Sequence, residues 1–114
     1  MKFIITDFFE RQLNKIAKDM EISDLIGKIK ISSKNFIHFK DPYVKIKVKT
    51  ENKSYRLLVV FDKEELIILF INIFDKKDKN YWENLSWNLH KNDIISWKEK
   101  NEDCIKKWKY RKIT

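Results

Sequence analysis

Glycine and proline are almost absent from this chain of 114 residues, which contains one of each. Gly27 and Pro42 stand alone, so the sequence has no glycine-rich segment. Phosphate-binding loops, dinucleotide-binding fingerprints and the nucleophile turn of many hydrolases all need several glycines at fixed spacing. The sequence therefore excludes these nucleotide-binding and hydrolase classes.

Cysteine and long apolar runs are also scarce. Cys104 is the single cysteine, which excludes an internal disulfide and favours a reducing compartment. The apolar start at Phe3–Thr6 is too short for the core of a signal peptide, and Asp7 follows it directly. The longest apolar run, Leu66–Ile71, is far shorter than the roughly 20 residues of a membrane-spanning helix. These features predict a cytoplasmic protein that does not cross a membrane.

Positive charge is in excess. The chain has 25 lysine and arginine residues against 17 aspartate and glutamate residues, and its formal net charge is +8. The excess is spread along the sequence rather than held in a tail, so any basic patch must form by folding. With 43% hydrophobic residues the chain can build a core, and we expect one domain over residues 1–114.

Two amphipathic helices are expected near the N-terminus, after a short strand over Lys2–Thr6. Asp7 is a candidate N-cap for the first helix, and Glu10 follows it at the spacing of a capping box. Apolar residues then recur at helical spacing. They are Phe9, Leu13, Ile16, Ala17 and Met20. A second, shorter helix is expected to begin at Ser23 or Asp24.

Three strands are predicted in the middle of the chain, at about residues 43–49, 55–61 and 65–74, after an ambiguous segment over Phe36–Phe39. The connections between the strands are short, which is typical of an antiparallel meander. Leu66–Phe74 is apolar at nearly every position, as expected for a central strand covered on both faces. One covering layer would be the N-terminal helices, and the other would be the C-terminal segment.

The C-terminal third of the chain returns to helical periodicity. Leu85 and Leu89 share one stripe, and Asn92 or Asp93 can begin a further helix. The apolar residues of this helix, which we expect to dock on the sheet or on a second subunit, are Ile94, Trp97, Cys104, Ile105 and Trp108. The predicted fold is α+β in the order β-α-α-β-β-β-α, with a mainly antiparallel sheet packed by the N-terminal helices and a helical extension over about residues 86–114.

The most informative segment is Tyr43–Lys49, in which valine and isoleucine alternate with Lys45, Lys47 and Lys49. Successive side chains of a strand point to opposite faces, so one face would be apolar and the other would carry three ammonium groups. Such a face suits an anionic partner, most often the phosphates of RNA or DNA. The alternative is a solvated outer strand whose lysines prevent edge-to-edge aggregation.

The position of Arg56 depends on the length of the first hairpin loop. A four-residue loop over residues 50–53 would place Arg56 opposite Lys47 and on the same face as Lys45, whereas a five-residue loop would place it on the other face. Further cations and a tyrosine follow the last strand of the meander. They are Lys76, Lys77, Lys79 and Tyr81. Together these residues would form a shallow cleft for RNA. Its cations would hold the phosphates, and its aromatic side chain would stack on unpaired bases.

In these segments the chain resembles the RelE/ParE superfamily of bacterial toxins, and the RelE-type mRNA endonucleases in particular. Tyr43–Lys49 resembles the family's basic strand, and Ser54–Phe61 resembles its Tyr-Arg-Leu strand. Ile71–Tyr81 resembles the closing strand with its basic cluster and tyrosine, and Phe8–Lys18 resembles the first helix. The resemblance covers roughly residues 1–85, so the domain would consist of this core and the extension.

The resemblance implies roles for the matched residues. Lys45 and Lys47 correspond to the lysines of the basic strand, and Arg56 corresponds to the arginine that stabilises the transition state. Lys77, or else Lys76, corresponds to the basic residue that protonates the leaving group.

The tyrosine of the family, which stacks on or orients the substrate, corresponds to Tyr81. The implied catalytic set is Lys45, Lys47, Arg56, Lys77 and Tyr81. Substrate binding by neighbouring lysines is expected at Lys49, Lys76 and Lys79. Neither a metal ion nor a cofactor is expected.

The resemblance implies the toxin of a type II toxin–antitoxin system. Such a toxin is an endoribonuclease that cuts mRNA on the ribosome, inhibits translation and is neutralised by a cognate antitoxin. Three alternatives remain open: a ParE-like toxin of the same fold that blocks DNA gyrase, a module that binds RNA without chemistry, and a catalytically silent homologue kept for partner binding. The lysine, arginine and tyrosine set opposes the gyrase alternative.

The chemistry of RNA cleavage restricts the choice of general base. RNA supplies its own nucleophile, the 2′-hydroxyl, so the protein must deprotonate it, stabilise the phosphorane and protonate the leaving oxygen. His38 and His90 are distant from the basic cluster in sequence, so a lysine would have to be the base. An unperturbed lysine has a pKa of about 10.4, but neighbouring cations and partial burial lower the pKa of a lysine.

Other reactive residues have structural interpretations. Asp62, Glu64 and Glu65 crowd a tight turn and are expected to form a solvated loop rather than a metal site. Cys104 lies on an apolar stripe and is expected to be packed. The tryptophans are expected in the core or against a partner rather than on nucleobases. They are Trp82, Trp87, Trp97 and Trp108.

Overall fold

The computed structural model describes residues 1–31, 36–78 and 85–114, which form six strands and three helices. The strands are β1 (Lys2–Thr6), β2 (Phe36–Lys40), β3 (Tyr43–Lys49), β4 (Ser54–Asp62), β5 (Ile67–Asp75) and β6 (Tyr110–Ile113). The helices are α1 (Asp7–Ile16), α2 (Ile22–Ile31) and α3 (Trp87–Lys106). The strands make one sheet in the order β2-β3-β4-β5-β1-β6. β1 and β5 are parallel, and the other neighbouring strands are antiparallel.

The predicted α+β class, with a mainly antiparallel sheet and a C-terminal helix, is confirmed. The predicted order β-α-α-β-β-β-α lacks two strands that the structure contains. β2 has no clear alternation of apolar and polar residues, and its pairing with β3 defines it. β6 is only four residues long, and its pairing with β1 defines it. Among the described helices, none combines the length and apolar character needed to cross a membrane.

The N-cap of α1 is Thr6 rather than the predicted Asp7. The backbone of Thr6 is extended, and its hydroxyl accepts a hydrogen bond from the Phe9 amide at 3.1 Å. Asp7 lies in the first turn, where its negative charge interacts favourably with the positive end of the helix dipole. Glu10, which the sequence assigned to a capping box, instead pairs with Arg111 of β6. The ion pair with Arg111, from the last strand, therefore takes the place of the local capping interaction of Glu10.

Helix α2 begins at Ile22, ahead of the predicted start at Ser23 or Asp24. The Asp24 carboxylate accepts a hydrogen bond from the Glu21 amide at 3.0 Å, so Asp24 stabilises the helix start from inside the first turn. Gly27 lies in the middle of α2, and a Cβ added there would meet no atom within 4 Å. Close packing therefore does not require glycine at this position.

The larger core lies between α1, α2 and one face of the sheet. β3 contributes Val44, Ile46 and Val48 to this core, which confirms the predicted apolar side of the lysine-rich strand. β5 lies between β4 and β1 and is buried along most of its length, as predicted for a central strand. Leu66, which the sequence placed in this strand, instead lies in the turn before β5 with a φ of 54° and is exposed.

Helix α3 packs on the opposite face of the sheet. It is one helix that begins at Trp87 with Ser86 as its N-cap, so the predicted start at Asn92 or Asp93 is wrong. Ile94 is fully buried in the second core. The residues of this second core are Tyr43, Leu58, Ile71, Phe74, Leu85 and Ile94. Docking of the extension on the sheet is therefore confirmed for this part of the helix.

A buried asparagine fixes α3 against the sheet. Asn101 accepts a hydrogen bond from the Thr6 hydroxyl and donates from Nδ2 to the carbonyl oxygens of Ile71 and Trp97, at 3.1 and 2.8 Å. Asn101 has no exposed surface, and its partners outside α3 lie at the end of β1 and within β5. This side chain therefore joins the C-terminal helix to two strands at once.

The apolar stripe of the extension ends before Trp108. Trp97 packs against Phe74 with ring centroids 5.2 Å apart, and Cys104 is buried, as predicted. Trp108 instead lies beyond the end of α3, is 82% exposed and has a φ of 61°. The expectation that Trp108 docks with the helix is wrong, because the helix stops two residues earlier.

Candidate nucleic-acid interface

β3 and β4 form a hairpin in which Lys47 lies opposite Arg56. The connecting loop has four residues, Thr50–Lys53, and the Thr50 amide donates a hydrogen bond to the Lys53 carbonyl at 2.9 Å. Directly opposed residues share a face of the sheet. The register with a four-residue loop is therefore confirmed, and Lys45 lies on the same face, two residues before Lys47.

We call the surface formed by Lys45, Lys47, Lys49 and Arg56 the basic face. Leu58 is the cross-strand partner of Lys45 and belongs to the second core, which α3 covers. The basic face is therefore the uncovered part of the sheet face on which α3 packs. Lys47 and Lys49 are exposed, whereas Lys45 and Arg56 are half-buried. Solvent access therefore decreases from the tip of the hairpin towards α3.

Lys45 has the most enclosed position on the basic face. Its Nζ donates a hydrogen bond to the Leu85 carbonyl at 3.2 Å and lies 5.1 Å from the ring centroid of Phe39. Burial lowers the pKa of the Lys45 ammonium from its ordinary value of 10.5, and the positive charge of Arg56 lowers it further. A lysine in this environment loses its proton more easily than a solvated one, so Lys45 can accept a proton in a reaction.

Arg56 lies between Lys47 on β3 and Phe74 on β5 in the register of the sheet. Within the part of the chain that the structure describes, no carboxylate forms an ion pair with Arg56. Its guanidinium donors are therefore available for a phosphate, which arginine binds with two parallel hydrogen bonds. The repulsion among these neighbouring cations would decrease when such an anion binds.

Lys76 and Lys77 line a separate cleft of about 520 Å³ beside the hairpin loop. Lys49 lines the same cleft from β3, together with Asp75. The Lys76 amide donates to the Ser54 carbonyl at 2.8 Å, and the Lys77 amide donates to the Asp75 carboxylate at 2.9 Å. These bonds fix the turn after β5 against the start of β4. The predicted cations therefore form two adjoining groups that share Lys49, rather than one cluster.

The two histidines are not part of the described basic face. His38 lies in β2, opposite Val44. The His90 Nδ1 accepts a hydrogen bond from the Ser86 amide at 3.1 Å and so stabilises the start of α3. Lys79 and Tyr81, which the sequence assigned to the site, lie outside the described residues, and so does Trp82.

The other reactive residues have structural roles. The Asp62 carboxylate accepts hydrogen bonds from the Glu64 and Glu65 amides at 3.0 and 3.1 Å, which makes it a turn-forming residue. Trp87 packs against Tyr43, with ring centroids 5.5 Å apart. These contacts agree with the structural interpretations made from the sequence.

The enclosure of Lys45 is the feature that sequence reasoning missed. The Leu85 carbonyl comes from a segment far from β3 along the chain, and Phe39 comes from the neighbouring strand β2, so both meet Lys45 only in the folded protein. The one available signal was the aromatic residue Phe39 in the ambiguous segment before β3. Once that segment is assigned to a neighbouring strand, an aromatic contact with the lysine strand follows.

No protein-family model matches the chain, and a search of curated proteins finds no match to it. The function proposed below therefore rests on the geometry of the basic face and on the resemblance to RelE-type endonucleases that the sequence predicts.

Proposed function

We propose that this chain is a RelE-like toxin that cuts mRNA on the ribosome. The observation that carries the proposal is the presence of Lys45, Lys47 and Arg56 on one sheet face, with the pKa of Lys45 lowered by burial and by Arg56. These are the positions at which the resemblance expects the lysines of the basic strand and the arginine that stabilises the transition state.

Lys45 is the proposed general base. Its neutral amine would take the proton from the 2′-hydroxyl of the nucleotide to be cut, and the resulting oxygen would attack the adjacent phosphorus. The lowered pKa increases the fraction of neutral amine near neutral pH. The hydrogen bond to the Leu85 carbonyl supports this role because it restricts where the Lys45 Nζ can lie.

Arg56 is the proposed stabiliser of the phosphorane. The attack adds negative charge to the non-bridging oxygens, and a preorganised guanidinium without a competing carboxylate among the described residues can bind that charge. Lys47, which is opposite Arg56 and exposed, would hold the phosphate of the bound strand. Lys49 and Lys76 would hold neighbouring phosphates, and the same role is proposed for Lys79.

Lys77, or else Lys76, is the proposed acid that protonates the leaving 5′-oxygen. Both lie in the cleft beside the hairpin loop, and the Lys77 backbone is fixed by the Asp75 carboxylate. Tyr81 is proposed to stack on or orient the substrate, by the resemblance alone. Proton transfers to and from lysine complete this route, so it requires neither a metal ion nor a cofactor.

The test is cleavage of mRNA in a purified translation system, together with growth after induced expression in cells. The wild-type chain should arrest growth and cut transcripts only when ribosomes are present. Arg56→Ala should lower the cleavage rate about 100-fold or more, as expected for loss of one preorganised donor. Arg11→Ala, which removes an exposed arginine of α1, is the matched control and should stay active. Full toxicity of Arg56→Ala would contradict the proposal and favour gyrase inhibition.

A cognate antitoxin is the proposed protein partner. The basic face would attract an acidic or amphipathic segment, which would cover Lys47 and Arg56 or displace α3. Co-expression of a short acidic protein encoded next to this chain should restore growth. Pull-down of that protein should fail when Lys47 and Arg56 are both replaced by glutamate. Lasting growth of cells that produce the folded chain without any such neighbour would count against an antitoxin.

RNA binding without chemistry is the second candidate function. The exposure of Lys47 and Lys49 favours it, since these lysines suit phosphate contacts whatever the protonation state of Lys45. The same translation system distinguishes the two functions, because a binding module would slow translation without producing cut transcripts.

A further inference from the structure

Two stacked aromatic rings lie where α3 leads into β6, one on the exposed Trp108 and the other on the half-buried Tyr110. Trp108 and Tyr110 have ring centroids 6.2 Å apart and ring planes 22° apart. Trp108 is 82% exposed, which leaves most of the indole in contact with water. We call this pair the aromatic platform. Exposed apolar surface of this size has no role in the two cores, to which neither residue belongs.

The backbone at Trp108 has a conformation that normally requires glycine. The Lys109 amide donates to the Cys104 carbonyl at 2.8 Å, and the Trp108 amide donates to the Ile105 carbonyl at 3.1 Å. This pair of hydrogen bonds is the glycine-type ending of a helix, with Trp108 at the left-handed position and a φ of 61°. Every side chain with a Cβ is disfavoured there. Stability alone would therefore favour glycine over tryptophan at residue 108.

Unpaired cations lie close to the aromatic platform along the chain. Lys112 lies two residues after Tyr110 on β6 and so on the same face of that strand. Over the described ranges, Lys106, Lys109 and Lys112 have no carboxylate within ion-pair distance, whereas Lys107 pairs with Asp103 at 3.0 Å. Arg111 pairs with Glu10. Three cations thus remain free to attract an anionic ligand.

We propose that Trp108 and Tyr110 form a stacking site for an unpaired nucleobase of single-stranded RNA, with its phosphates held by Lys106, Lys109 and Lys112. Aromatic rings stack on exposed bases, and neighbouring cations bind the backbone of the same strand. An acidic protein would use the cations but would gain little from two nearly parallel rings. Duplex RNA hides its bases and would use the lysines alone.

This site is distinct from the basic face. β6 lies at one edge of the sheet and β3 lies four strands away, so the two sites are separated by about 19 Å at about 4.8 Å per strand. Helix α3 packs on the sheet face between them. The aromatic platform would therefore hold a different part of the RNA from the part that reaches Arg56. Its existence does not depend on whether the basic face cuts RNA.

The experiment measures binding of a fluorescently labelled decauridylate to the full chain by anisotropy. Trp108→Gly should weaken binding about 5- to 150-fold, as expected when one base loses an aromatic stacking partner. Binding of a duplex RNA of equal length should change little. Lys112→Gln should weaken binding of both RNAs and reduce the salt dependence by about one counterion.

Leu66→Gly is the matched control. Leu66 is also an exposed apolar residue with a positive φ, 54°, but the two residues before it are glutamates and no aromatic ring packs against it among the described residues. Both glycine variants relieve the same backbone strain, so both should fold. Only Trp108→Gly should lose single-strand binding.

Unchanged binding of decauridylate by Trp108→Gly would overturn the proposal, and so would an equal loss in Leu66→Gly. A loss of binding to phosphatidylserine vesicles by Trp108→Gly, with RNA binding unchanged, would assign the platform to a membrane surface instead. Arg56→Ala separates this proposal from the endonuclease proposal. Adding Trp108→Gly to Arg56→Ala should weaken RNA binding as much as it does in the wild-type chain. This result is expected even if the wild-type chain cuts no RNA.

Discussion

Arg56, on the neighbouring strand of the β3–β4 hairpin, adds to the effect of burial in lowering the pKa of Lys45. The two side chains are on the same sheet face, and both are half-buried beside the part of the face that α3 covers. The two positive charges therefore repel each other, and removing the charge of Arg56 should raise the pKa of Lys45. This coupling gives the clearest test of which lysine acts as the base.

The cleavage rate should rise with pH, because the proposed base is active as the neutral amine. The midpoint of the rise should lie below 10.5, the ordinary pKa of a lysine, since burial and Arg56 both lower the pKa of Lys45. Arg56→Ala removes the neighbouring positive charge, so its remaining activity should rise at a higher pH than wild-type activity. Single-turnover rates measured across pH would reveal the shift. An identical midpoint in both proteins would mean that Lys45 is not the base.

Lys45→Arg should be inactive because a guanidinium cannot be deprotonated in proteins. The expected loss is about 100- to 10,000-fold, which is the usual contribution of a general base. Lys47→Arg keeps the charge at the opposite side of the hairpin and should retain activity if Lys47 only holds phosphate. The reverse result, an inactive Lys47→Arg and an active Lys45→Arg, would assign the base to Lys47.

Asn101→Ala should destabilise the fold by about 2–4 kcal/mol, because it removes the acceptor for the buried Thr6 hydroxyl proton and the side-chain donor to the Ile71 carbonyl. Denaturant unfolding would measure the loss. Asn92→Ala, at an exposed position of the same helix, is the control and should stay within about 0.5 kcal/mol of wild type. Equal stability of the two variants would show that Asn101 does not fix α3 to the sheet.

Gly27→Ala should stabilise the protein by about 0.5–1 kcal/mol, which is the difference in helix propensity between the two residues. A Cβ at Gly27 would meet no atom within 4 Å, so no packing cost opposes the gain. Thermal unfolding should shift upwards by about 2–6 °C for a domain of this size. A lower melting temperature would mean that the space beside Gly27 is needed by the folded chain.

The β3–β4 hairpin was predictable from the sequence because its determinants are local. Alternation around Lys45 and Lys47 defines one strand, and a four-residue loop of Thr50–Lys53 then fixes the position of Arg56. The central position of β5 was predictable for a similar reason, since nearly every residue in it is apolar. Patterns of this kind depend on few residues that lie close together along the chain.

Other features depend on contacts that no local pattern encodes. Glu10 is placed as a capping residue by its spacing, but Arg111 binds it from the other end of the chain. Asparagine usually lies at the surface, but three polar groups form hydrogen bonds with Asn101 and make its burial favourable. Trp108 continues the apolar spacing of α3, but the helix ends at Lys106, and the Trp108 side chain is exposed to solvent.

The pairing of β1 with β5 and β6 has a consequence for the order of folding during synthesis. Of the described strands, β1 is the first to be made, but its neighbours in the sheet are the last two. The β3–β4 hairpin can close soon after it is made, whereas β1 must wait for residues far along the chain, and such long-range pairing is slow. The nascent chain would therefore carry the lysines and arginine of its hairpin before its sheet is complete, with the edges of β1 still unpaired.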